Sequence, residues 1–247
     1  MMKKSVFIAL TSFLLFILFA VVVCGIFLLY TAHKKVGIQE TKPHSKNVVI
    51  DCGHGGPDGG AIGADGTCEK DINLALGFAL REILVQNGYR VIMTRTTDDF
   101  ICDDHTASLR EQNVSDLHNR LKIAENVPDA IFISLHMNNF HDPQYSGSQL
   151  FYSPNHPQSK VLSESIRQRL VAGVQKGNQR ALKEMDSSVY IIYNATMPAL
   201  LLECGFMSNP EELNRFKDKE YRSTFAFSVF LGIQDYMTGE KNGEEFT

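Results

Sequence analysis

Cysteine is scarce in this chain: five residues in 247, an odd number, with no CxxC pair and no compact disulfide framework among them. Each of the five therefore reads as a small packed thiol. Positive charge is also in short supply. The formal net charge is −4 and no long basic run follows residue 35, which argues against a nucleic-acid partner. There is no internal repeat, no low-complexity block and no second domain. The one glycine-dense loop, residues 52–66, fits neither GxGxxG nor GxxxxGK[ST], so phosphate-cradling chemistry is set aside. Charged residues make up 21% and hydrophobic residues 44%, ordinary globular proportions that exclude a disordered chain.

What is present begins with a long apolar run. Residues 6–30 carry no charge and are bracketed by Lys3, Lys4, Lys34 and Lys35. At about 1.5 Å per residue the run spans a hydrocarbon core of about 30 Å, and it exceeds the roughly 7–15 residues of a cleaved signal peptide. Val23 before Cys24 suits a lipoprotein site poorly. The expectation is an uncleaved transmembrane anchor at 1–35, a polar linker at 36–46, a catalytic domain at 47–240 and a polar tail at 241–247. Lysines on both sides leave the orientation to be set by the chemistry outside.

The domain reads as α/β, a mostly parallel central sheet flanked by helices. Strands are expected at residues 47–51 (NVVID), 90–94 (RVIMT), 130–136 (AIFISLH), 148–152, 189–193 and 199–203 (ALLLE). Helical spacing joins Ile72, Leu76, Leu80 and Leu84, with Gly88 placed to end that helix. Ser115 is expected to cap a helix carrying Leu117, Leu121 and Ala124. Further helices are expected over 157–171, from Pro210, and over 221–236.

Ligands of open α/β sheets bind beyond the carboxyl ends of the strands. Four ionisable residues gather there: His54 after the first strand, Glu69 at the start of the first helix, His136 ending the third strand and Glu203 ending ALLLE. Two imidazoles and one carboxylate with an open fourth position make a catalytic zinc set. A second carboxylate is then needed to carry a proton from water to the leaving nitrogen, and Glu203 is the candidate. Taken singly, each has an ordinary alternative: a satisfied surface or core histidine, or a glutamate favouring a helix dipole. Four at one edge of one sheet bring the metal site level with those alternatives.

The strings VVIDCGHGGPDGGAIGADGTCEKDINL, TRTTDDF, SDLHNRLKIAEN, IFISLHMNN and MPALLLECGFMSNPEE decide between them. In that order they resemble the type 3 N-acetylmuramoyl-L-alanine amidase family over essentially the whole domain. The resemblance implies one zinc ion on His54, Glu69 and His136, Glu203 as catalytic acid/base, and peptidoglycan as substrate. It matches Asn138 to an asparagine that orients the site or a substrate amide, with a polar turn residue as the alternative, and Arg95 and Arg120 to arginines that either face an anionic stem peptide or serve a structural role. A long anchor, no wall-binding module and the connection ICDDHTASLREQNVSDLHNR are similar to the germination-specific, spore-cortex branch; vegetative wall turnover is the alternative. An accessory protein is a possible partner, and residues 139–157 are too few to add a helix over the site, so an open groove is expected. The competing readings are a catalytically silent wall-binding module, a cysteine peptidase using Cys204 and His136, and a zinc deacetylase.

Overall fold

The computed structural model describes residues 15–25 and 46–239. Residues 15–25 form a helical segment, and among the described residues no helix is long and apolar enough to cross a membrane. The rest of the expected anchor, nearly all of the linker and the polar tail lie outside the described residues.

The chain order is β1 (Asn47–Cys52), α1 (Glu69–Gln86), β2 (Arg90–Met93), α2 (Leu109–Glu125), β3 (Ala130–Asn138), β4 (Gln149–Tyr152), α3 (Gln158–Gly173), β5 (Lys183–Glu184), α4 (Tyr190–Tyr193), β6 (Ala199–Phe206), α5 (Pro210–Lys217) and α6 (Lys219–Thr238). The six strands form one sheet in the order β2-β1-β3-β6-β4-β5. Only β4 and β6 pair antiparallel; every other neighbouring pair is parallel. This is the α/β domain with a mostly parallel sheet that the sequence implies.

Both faces are covered because the strands are apolar on both sides. On one face Val48, Ile50, Ile131, Ile133, Leu135, Leu200 and Leu202 pack under α1, α3 and α6. On the other, Val49, Phe132, Ala199 and Leu201 pack with Leu121 and Ala124 of α2 and with Ile191 and Ile192 of α4. Each fully buried aliphatic side chain stabilises the fold by roughly 1.5–3 kcal/mol. The antiparallel direction of β4 brings its first residue, Gln149, opposite Glu203. The segment 139–148 therefore joins two strands at the same edge of the sheet, and it contains turns and bends but no helix.

Two expected elements differ. The second long helix begins at Leu109, where Ser108 and Glu111 form a reciprocal capping box, and Ser115 lies inside it, bonded to Asp103. The expected strand at 189–193 is instead the helical turn α4, whose adjacent Ile191 and Ile192 are both buried. A strand would have turned one of the two away from the sheet.

Candidate active site

β1, β3 and β6 end side by side, and the residues just beyond them make the site. The parallel register sets His136 of β3 opposite Glu203 of β6. Alternation along β6 sends Glu203 to one face and Cys204 into the core on the other, where it is fully buried. Glu69 occupies the first turn of α1, where the helix dipole favours its charge.

His54, Glu69 and His136 each offer one ligand atom, and these atoms lie within 4.8 Å of one another. Glu69 Oε1 is 3.2 Å from His54 Nε2 and 3.0 Å from His136 Nδ1. Four-coordinate zinc with bonds of about 2.0–2.2 Å spaces its ligand atoms by roughly 3.4 Å, so this donor set fits one ion. The electrostatics agree. Burial pulls the His54 imidazole down, but the Asp58 and Glu69 carboxylates outweigh it and lift it above the usual histidine range. Burial pushes the Glu69 carboxyl up, but His136 and His54 outweigh it and hold it well below the usual range. The His54 shift says that the site favours positive charge beside its carboxylates, and the Glu69 shift says that this carboxylate stays ionised, as a metal ligand must.

Glu203 is of another kind. Its Oε2 is enclosed and has no hydrogen-bond partner among the described residues. Burial is the main cause that pushes its carboxyl up to about 7; His136 opposes this, Glu69 adds to it, and His54 opposes it. A carboxyl poised near neutrality and free of partners can take up and release a proton.

The glycine loop is shaped by close approach. A Cβ on Gly53 would fall on the His136 ring, and one on Gly60, at φ 67°, would sit 2.6 Å from His54 Cδ2 and 2.7 Å from Glu69 Oε2. His54 itself is held at φ 63°, a conformation that costs a non-glycine residue energy and must be imposed by its surroundings.

Arg95 and Arg120 impose it, which corrects the expectation that they face the stem peptide. Both are buried. Arg120 donates to Asp116 Oδ2 (2.5 Å), Asp51 Oδ1 (2.8 Å), the Cys52 carbonyl (2.8 Å) and the His54 carbonyl (2.8 Å). Arg95 donates to the carbonyls of Cys52 (2.8 Å), Gly53 (3.1 Å), Thr97 (3.0 Å) and Lys70 (2.8 Å). The turn after β1 points its carbonyls inward, where they need donors, and the two guanidinium groups are spent on them. Asn138, half-buried, ends β3 opposite Phe206, and its carbonyl accepts the Met207 amide at 2.7 Å.

Further residues brace the three donors. Asp58 Oδ2 lies 2.8 Å from His54 Nδ1, leaving Nε2 for the ligand role. Asn73, one helical turn after Glu69, donates to Glu69 Oε1 at 3.2 Å. Its i,i+4 spacing from Glu69 was the available clue. The amides of Met137 and Ala61 donate to the two Glu69 oxygens, 2.9 Å each. The cysteine-peptidase reading fails on burial, which holds the Cys204 thiol well above the ordinary thiol value, while its Sγ donates to the Leu202 carbonyl.

A sheet edge that gathers two imidazoles, a buried carboxylate and a second, unpartnered carboxyl has the makings of a hydrolase site whose first three donors could hold a metal ion. The chain belongs to the N-acetylmuramoyl-L-alanine amidase family, whose model matches residues 48–235. It is similar to the germination-specific N-acetylmuramoyl-L-alanine amidase of Bacillus subtilis strain 168, with 32% identity over 78% of this chain and 80% of that one. It is also similar to the CwlD amidase from Clostridioides difficile, solved in complex with the GerS lipoprotein: 36% identity, TM-score 0.75, covering 78% of this chain and 99% of that one. The AmiC2 amidase of Nostoc punctiforme matches at 30% identity and TM-score 0.65, over 78% of this chain and 97% of that one. The protein is thus a cell-wall amidase, acting on the amide between N-acetylmuramic acid and L-alanine.

Proposed function

We propose that this amidase works with a single zinc ion held by His54, Glu69 and His136, and that Glu203 is its acid/base. The observation that carries the reading is the unpartnered, elevated carboxyl of Glu203 set across one strand pair from a three-donor cluster. Zinc, when bound, would polarise the scissile carbonyl and make water easier to deprotonate. Glu203 takes that proton as water attacks and passes it to the alanine nitrogen as the bond breaks. Asp58 and Asn73 hold the ligands in orientation, and Asn138 orients a substrate amide at the rim.

Spore-cortex peptidoglycan is the substrate this reading favours, supported by the similarity to the germination-specific amidase. The domain works outside the membrane, where that polymer lies, tethered through residues 6–30. A partner protein belongs to the same reading; CwlD was solved with a lipoprotein. Mass analysis of cortex peptidoglycan digested by the full chain plus zinc tests it. Release of peptides beginning with L-alanine, lost about 10²–10⁴-fold in Glu203→Gln, is expected. Acetate release without peptide would make it a deacetylase, and vegetative wall cleaved in preference to cortex would move it to wall turnover.

A further inference from the structure

At the same edge of the sheet lies a polar cavity of about 780 Å³ that the chemistry above leaves unused, and none of His54, Glu69, His136 and Glu203 lines it. It is bounded by the turn before β4, the segment after α3 and the first turns of α5. The register ties it to the site. Gln149, two residues after Gly147 of the cavity wall, is the ladder partner of Glu203. Glu212, also in the wall, accepts the Gly147 amide at 2.9 Å and the amide of Phe206, three residues past Glu203, at 2.8 Å. At about 3.3 Å per residue along the strands, the backbone of the cavity wall begins roughly 10 Å from the backbone of Glu203.

Arg180 is the notable occupant of this wall. Its guanidinium carbon lies 4.9 Å from the Phe206 ring centre and 5.7 Å from that of Tyr145. Its Nε donates to the Ser146 carbonyl at 3.2 Å. Tyr145 is itself held edge-on by Phe140, with ring centres 4.9 Å apart. The side chain is therefore stacked and tethered before any ligand arrives, while its two Nη groups have no partner among the described residues. Arg215, exposed, stands on the same wall with only a 3.9 Å pairing to Glu211. Glu212, the one carboxylate of this wall, is drawn on by both arginines as well as by two backbone amides, but with Lys176 the lining still carries three cations against one anion.

We infer that this cavity is a carboxylate subsite for the stem peptide, with the fork of Arg180 as its recognition element and Arg215 in support. The inference rests on the amidase reading: the peptide beyond L-alanine carries acidic residues, and a planar, pre-placed guanidinium matches a carboxylate with two parallel hydrogen bonds. The arginine role expected of Arg95 and Arg120 is thereby filled by residues on a different part of the edge.

The test compares two soluble muramoyl peptides with the full chain and zinc, one with free carboxylates beyond L-alanine and one with those groups amidated. Wild type should prefer the free form. Arg180→Gln should raise KM for the free form by about tenfold or more, leave kcat and the amidated substrate unchanged, and Arg180→Lys should recover only part. Equal KM changes on both substrates, or none, would overturn the subsite and leave Arg180 a packing residue. Calorimetric binding of the free peptide to Glu203→Gln protein, with and without Arg180→Gln, reads the subsite without turnover. Unchanged affinity there would refute it even if the hydrolysis itself failed, whereas weakened affinity without hydrolysis would fault the reaction and keep the subsite.

Discussion

Gly53 shows how tightly a single residue can be constrained here. Its α-carbon faces the His136 imidazole so closely that any Cβ overlaps the ring. Gly53→Ala should displace His136, giving protein with little bound zinc by elemental analysis yet an unchanged far-ultraviolet circular dichroism spectrum. Glu203 makes a second prediction at this scale. It acts as a base only when ionised, so kcat/KM should rise with pH through its pKa. That acid limb should fall no higher than about 7, since a cation beside it can only pull the value down. An acid limb well above 7, or one that survives unchanged in Glu203→Gln, would remove Glu203 from the role. The four main site residues were legible because each terminates or follows a recognisable element. The burial of Arg95 and Arg120 was not, because it depends on carbonyls turned inward by positive φ at His54, Gly55 and Gly56, which no residue type announces.

Among elements, α3 and α6 meet through Gly232, where a Cβ would overlap the backbone of Ile166. Alanine there gains roughly 0.5–1 kcal/mol of helix propensity. It also forces two helix backbones apart, and overpacking costs about 1–3 kcal/mol. A backbone atom cannot rotate aside, so Gly232→Ala should lower the urea unfolding midpoint, and a raised midpoint would show that the helices can separate freely. Legibility at this scale followed the length of the apolar signal. α1 and the central strands carry long patterns and were found. α2 buries Leu121 and Ala124 only in its second half, so periodicity located its end and missed its Ser108 cap. α4 is four residues, too short for a period of 2 to be told from 3.6. β5 is two exposed residues with nothing apolar to mark it.

For the whole molecule, the buried Asp51 links sheet, helix and site. Burial pushes its carboxyl up, but Arg120, then Ser134, Thr94 and His136, outweigh this and hold it below the ordinary value of 3.8. A carboxyl lowered by folding contributes stability that is present above the unfolded value and is lost as pH falls through the folded one. Urea midpoints should therefore fall as pH drops below about 4. Asp51→Asn should start lower at neutral pH, by about 3–5 kcal/mol for a broken buried pair, and lose less on acidification. An equal acid loss in both proteins would place the linkage elsewhere.

The carbonyls of Cys52, Gly53 and His54 are each gripped by a guanidinium from β2's end or α2. Their hold on the loop comes from the protein's own interior, so the backbone that presents His54 is braced by the fold itself. For the proposed zinc site, uptake should then follow second-order kinetics with no slow rearrangement of this loop, and a slow first-order phase in stopped-flow uptake would show that the loop moves.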